Sequence, residues 1–195
     1  EITAPEPIDV IVSASNVSCF GSSDGSATIT SATGGTGSYS YNWQNADGFN
    51  LWPGNLSAIQ PTVLNLLPAT YQLVVEDENE CTTTYMPVVI GEPLEVNVDL
   101  DIVSNHNGLE ISCFGSSDGA VMATAEGGTG NFTFAWSSEF GSIETNTAAT
   151  FDSIFSLSSG TYYVNVEDVN GCSSSDDINL NQPNQIVVDF ENIIN

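Results

Sequence analysis

The sequence predicts an all-β protein: two tandem immunoglobulin-like antiparallel β-sandwich domains arranged end to end. Three observations carry that prediction. The first is a duplication: Cys-Phe-Gly-Ser-Ser-Asp-Gly stands at 19–25 and again, letter for letter, at 113–119, and identity at seven positions marks copies of one unit. The second is a fixed order of motifs. Each copy runs on to Gly-Gly-Thr-Gly (34–37 and 127–130), to an alternating aromatic run ending in Trp43 or Trp136, and to a Tyr-led run closing on Cys81 or Cys172. The offset between copies is 94 at the first Cys, 93 at Trp and 91 at the second Cys, the drift expected of single-residue loop changes. The third is periodicity, because short alternating runs recur between turn residues about every 8–12 positions and no 3.6-residue period interrupts them.

The second copy shows the elements in order. Residues 94–104 (LEVNVDLDIVS) alternate and predict a first strand, followed by the turn SCFGSSDG. A strand over 120–128 (AVMATAEGG) ends at a Gly pair, and 131–136 (NFTFAW) alternates aromatic with small residues. Residues 150–157 (TFDSIFSL) and 161–168 (TYYVNVED) are further strands, then Asn-Gly-Cys turns into 173–183 (SSSDDINLNQP). Roughly seven strands per unit is the immunoglobulin-like count. Trp43 and Trp136 end the third strand, where such sandwiches bury a Trp between their sheets. Tyr71 and Tyr162, in LLPATY and LSSGTY, occupy the tyrosine-corner position, whose hydroxyl bonds back to the preceding loop. The expected boundaries are 1–92 and 93–183, with 184–195 opening another repeat, because QPNQIVVDF (182–190) echoes EPLEVNV (92–98).

Composition bounds function. The chain holds 25 Asp and Glu, no Lys or Arg and one His, for a formal net charge of −25. Nucleic acid is excluded as a partner, since phosphate neutralisation needs Lys or Arg, and anionic membrane surfaces repel such a chain. No apolar run approaches the length of a membrane span, and the first residues lack the basic and apolar regions of a signal peptide. An enzyme would have to rest on carboxylates or on His106 with a Ser, and neither arrangement recurs in both copies, so no catalytic residue is expected. His106, in SNHNG, reads as a surface turn residue.

Two cysteines per unit suit disulfides in an oxidising compartment better than zinc, which needs four ligands. The pairing has two readings. Cys19 with Cys81 and Cys113 with Cys172 would give each unit its own bridge, and is the favoured one. Cys19 with Cys172 would join neighbouring repeats and leave Cys81 and Cys113 for flanking ones. Against the first stands distance: loops at opposite ends of a sandwich lie roughly 20–30 Å apart, whereas a disulfide spans about 4.4–6.8 Å between Cα atoms.

Cys-Phe-Gly-Ser-Ser-Asp-Gly, Gly-Gly-Thr-Gly, aromatic-x-aromatic-x-Trp, Gly-Thr-Tyr and Glu-Asp-x-Asn-Gly-Cys together resemble the SprB repeat, found in tandem in very large cell-surface adhesins of gliding Bacteroidetes. The resemblance covers about residues 8–183. It implies secretion through the type IX system, display at the cell surface, and a role in adhesion and gliding motility. The first copy departs at Ala69 and Glu80, where the motif has Gly.

Three further candidates remain. Calcium takes six to eight oxygen ligands, and a junction between units could offer Asp24, Glu92, Glu167, Asp168 and Asn170, although Asp-Gly and Asn-Gly also form turns for purely conformational reasons. Trp52 beside Phe49, in a loop whose Trp has no counterpart in the second copy, could stack on a sugar, so a carbohydrate-binding module is the alternative function. Ser153, in Asp-Ser-Ile, resembles a Bacteroidetes O-glycosylation acceptor. Neighbouring repeats and a polysaccharide or other surface ligand are the expected partners.

Overall fold

Alternation of apolar and polar residues along each run puts one face of every strand inside, and the computed structural model, which describes residues 4–51 and 61–189, is built accordingly. Among the described residues there are thirteen strands and no helix. The chain divides into two units, Glu1–Leu94 and Glu95–Asn195.

In the first unit, β1 (Asp9–Ser15), β2 (Gly25–Thr33) and β4 (Thr62–Leu66) form one antiparallel sheet, in the order β1-β2-β4. The facing sheet is β3 (Ser40–Asn45), β5 (Ala69–Glu76) and β6 (Thr82–Ile90), in the order β3-β5-β6. The second unit repeats the plan. Its first sheet has β7 (Asn97–Ile102), β8 (Gly119–Glu126) and β11 (Phe151–Leu157), in the order β11-β8-β7. Its second has β9 (Phe132–Ser138), β10 (Gly141–Ala148), β12 (Gly160–Glu167) and β13 (Ser173–Leu180), in the order β10-β9-β12-β13. Two sheets that exchange strands in this way are the immunoglobulin-like sandwich.

Strand period 2 builds the core. Tyr71, Leu73 and Val75 of β5 are buried while Gln72 and Val74 between them are half-exposed. In the second unit Tyr162, Val164 and Val166 of β12 alternate with exposed Tyr163 and Asn165. Trp43 and Trp136 are buried at 2% and 1% exposure between the sheets of their units. Trp136 donates its indole N–H to Asp152 Oδ2 at 2.8 Å, whereas the buried Nε1 of Trp43 has no partner among the described residues. The register explains the difference: Asp152 pairs with Ala123, and the first unit has Pro61 there, its carbonyl accepting the N–H of Ile29 at 2.7 Å. Both tyrosine corners form, with Tyr71 donating to Leu67 O and Tyr162 to Ser158 O, each at 2.9 Å.

Candidate functional site

The repeated motifs occupy the turns at the two ends of β2 and of β8, and each is built the same way in both units. At the start of β2, the carbonyl of Cys19 accepts the N–H of Ser22 at 3.1 Å, with Gly21 at φ +72°. Cys113, Ser116 and Gly115 repeat this at 3.1 Å and φ +77°. That left-handed conformation is why Gly stands third in the motif. The Asp of the motif closes the turn from behind: Asp24 Oδ1 accepts the N–H of Ser18 at 2.9 Å, and Asp118 Oδ1 that of Ser112 at 3.1 Å. Ser18 and Ser112, through side chain and then backbone, hold the two carboxyls below the ordinary carboxylate range against the opposing push of burial. The residue before the linker Pro completes the lock: Glu92 Oε2 accepts from Gly21 N at 3.0 Å, and Gln182 Oε1 from Gly115 N at 2.7 Å. The motif ends in a Gly with no room for a side chain, since a Cβ at Gly25 would lie 2.6 Å from Ile90 Cγ2 and one at Gly119 2.7 Å from Ile111 Cδ1.

At the far end of β2 the Gly-Gly-Thr-Gly turn meets the Glu-Asp-x-Asn turn through a buried carboxylate. Asp77 Oδ2 accepts the N–H of Thr36, and its Oδ1 those of Asn79 and Cys81, all at 2.9 Å. Asp168 does the same with Thr129 at 2.8 Å, Asn170 at 2.8 Å and Cys172 at 3.0 Å. Both Asp side chains are buried, at 4% and 5% exposure. A buried charge needs hydrogen bonds or a counter-ion, and in a chain without Lys or Arg backbone N–H groups take that part. The N–H of Cys81 foremost, then those of Thr36 and Asn79, hold the carboxyl of Asp77 below its ordinary range despite burial.

The other candidates fall in separate places. Glu167 ends β12 and is exposed. Asp24 and Asp168 are engaged by backbone N–H groups as described, Glu92 by Gly21, and the N–H of Asn170 by Asp168. Among the described residues no group of three or more His, Cys, Asp or Glu side chains is arranged to hold a metal ion. Phe49 is 70% exposed and braced by Asn45, whose Oδ1 accepts its N–H at 2.8 Å, while Trp52 lies outside the described residues. Ser153 is half-buried within β11. His106 lies in a turn, its Nε2 3.2 Å from the carbonyl oxygen and 3.7 Å from Oδ1 of Asp118.

The favoured pairing of cysteines within each unit is corrected. Cys81 and Cys113 are free and exposed, while Cys19 and Cys172 are disulfide-bonded. The reason is distance. In the first unit Cys19 precedes β2 and Cys81 lies on the turn tied to Thr36 beyond its end, so a nine-residue strand of about 3.3 Å per residue separates them. No disulfide spans that.

Comparison with known proteins agrees with this duplication. The SprB repeat model matches residues 11–48 and 110–139, one stretch in each unit. No curated protein matches the chain. Among solved structures, the three N-terminal domains of the Highly Immunogenic Outer Capsid protein of bacteriophage RB49 are similar, with 16% identity over 90% of this chain and 58% of that one and a TM-score of 0.52. This chain thus spans 58% of that structure's length, and the likeness is one of fold alone. Immunoglobulin domains 1 and 2 of DIP-gamma match at 12% identity over 91% of this chain and 98% of that one, TM-score 0.40. The fibronectin(III)-like modules of Clostridium thermocellum CbhA match at 13% over 88% and 94%, TM-score 0.35.

Proposed function

The chain carries two SprB repeats, and from that premise we propose that it is a structural segment of a large secreted cell-surface adhesin, serving as a stiff acidic spacer in adhesion and gliding motility. The observation that carries the reading is the use of the shared motifs. Gly21, Asp24, Gly25, Asp77 and their counterparts are all taken up by the backbone and core of their own unit, so what both units hold in common builds the fold. Neighbouring repeats are the first partners. Ile186 and Val188 are exposed at 89% and 67%, whereas Val96 and Val98, which follow the equivalent Pro of the first copy, are buried; this supports reading residues from 184 onward as the opening of a further repeat. Cys81 and Cys113 are then left for the cysteines of flanking repeats.

Rigid sandwiches and a short linker around Pro93 supply the stiffness, and charge adds to it. Every unit is anionic and none has a basic side chain to answer it. Repulsion reaches across a junction at low salt and is confined to the joint near physiological salt, where the Debye length is about 8 Å. Absence of Lys and Arg also removes every cleavage site for trypsin-like proteases. Small-angle scattering at about 10 mM and about 1 M salt, where Debye lengths are about 30 Å and 3 Å, tests the spacer. An elongated particle at both salts, lengthening as repeats are added, is expected. A compact particle whose maximum dimension does not grow with repeat number refutes it, and failure of an antibody against the chain to label intact source cells refutes the surface location.

A further inference from the structure

A shallow depression of about 250 Å3 opens in the second unit on the outer face of the β10-β9-β12-β13 sheet, lined by Ala135, Ser137, Tyr163, Asn165, Ser175 and Asp177 among others. The register places them in two rows. Ser137, Tyr163 and Asp177 lie side by side across β9, β12 and β13, and Ala135, Asn165 and Ser175 form the next row. Tyr163 is 44% exposed although an aromatic ring gains most from burial. The ring keeps an open flank because the residues beside it on β9 are small, Ser137 directly opposite and Ala135 diagonal to it.

The first unit shows what this face looks like when it is closed. Gln72 stands where the second unit has Tyr163, between buried Tyr71 and Leu73, and it pairs with Gln44 as Tyr163 pairs with Ser137. Gln72 Nε2 donates to Gln44 Oε1 at 3.0 Å, Gln44 Nε2 to Asn50 Oδ1 at 3.1 Å, and Asn42 Nδ2 to the same Oδ1 at 2.9 Å. That amide network links the side chains across the face. The second unit replaces it with a ring, small neighbours and hydrogen-bonding tips that point to solvent.

We infer that the face around Tyr163 is a binding site for a neutral carbohydrate. A pyranose ring offers an apolar C–H face and a rim of hydroxyls, and the depression answers both. Tyr163 supplies an apolar platform; Asn165 is a donor and acceptor, Asp177 an acceptor, and Ser137 and Ser175 are either. The charge selects the class: a chain of net charge −25 without a cation repels uronic acids and sulfated glycans. The site lies in the second unit and does not depend on the spacer reading.

Affinity electrophoresis of the 195-residue chain through gels containing dextran, xyloglucan, galactomannan or laminarin tests the site, with alginate as the anionic control. Retardation by at least one neutral polymer and none by alginate is expected. Tyr163→Ala should weaken that retardation about tenfold or more, as truncating an aromatic anchor does; Tyr163→Trp should retain it, Asn165→Ala should weaken it, and Gln72→Ala should leave it unchanged. Melting curves check that each variant is folded, and if Tyr163→Ala proves unstable, Asn165→Ala carries the comparison. No retardation by any neutral polymer, retardation by alginate alone, or folded Tyr163→Ala and Asn165→Ala variants retarded like the parent would overturn the inference.

Discussion

Glu80 sits at φ +64° where the second unit has Gly171 at φ +84°, so one position of a shared turn carries a side chain the backbone disfavours. A left-handed residue other than Gly costs about 1–2 kcal/mol, and Gly gives back about 0.4–1 kcal/mol through its freer unfolded state. Glu80→Gly should therefore raise the stability of the first unit by about 0.5–1 kcal/mol in chemical denaturation; a loss would show that the turn is not strained. Asp77, three residues earlier, holds the same turn through charge. Its folded carboxyl titrates below the ordinary value of 3.8 because backbone N–H groups favour the anion, that of Cys81 first. A depressed folded value means stability that is present above the unfolded value and lost as pH falls through the folded one. Asp77→Asn, with one acceptor oxygen for three donors, should melt several degrees below the parent at pH 7. The gap should narrow steadily once pH drops below about 4. A gap that stays constant from pH 7 to pH 2 would mean that the anion is not what holds the turn.

Strands with an apolar face were legible from sequence, and those without one were not. β5 and β12 announce themselves by alternation up to the corner tyrosines, and Trp43 and Trp136 mark β3 and β9. β10 (GSIETNTA) is exposed along nearly its whole length; it pairs through its backbone with β9 and carries no periodic signal. The candidate sites divide in the same way. Carboxylates in EDENE and EDVNG suggest a cation, because the backbone N–H groups that surround Asp77 and Asp168 leave no letter in a sequence. Tyr163 stood beside Tyr162 as one more strand aromatic, and only register shows that one faces the core and the other the depression. The CFGSSDG element can be tested for its two glycine requirements. A Cβ at Gly119 would sit 2.7 Å from Ile111 Cδ1, 2.8 Å from Leu180 Cδ1 and 2.9 Å from the Leu157 carbonyl oxygen, whereas nothing lies within 4 Å at Gly115. Gly119→Ala should cost about 1–3 kcal/mol by overpacking, while Gly115→Asn, which tolerates the left-handed conformation, should cost under about 1 kcal/mol. Equal losses in urea unfolding would mean that space does not decide the second Gly.

For the whole molecule, the oxidation state of four thiols separates two architectures that the sequence left open. Bridges within each unit would make every repeat self-contained, and in the chain as it stands would leave no free thiol. The structure instead has Cys81 and Cys113 reduced and exposed, and Cys19 and Cys172 oxidised. The strand between the two turns of a unit is the physical reason, because it holds Cys19 and Cys81 too far apart to bond. Protein made under oxidising conditions and treated with iodoacetamide before any reduction should gain two carbamidomethyl groups per chain, in native buffer as in denaturant. The remaining two sites should react only after a reductant is added. Trypsin cannot map the labels in a chain without Lys or Arg, so cleavage at Asp and Glu is needed, and the first two labels should fall on Cys81 and Cys113. A chain that takes up no label before reduction would restore the within-unit bridges. Uptake of four would show that Cys19 and Cys172 are reduced as well.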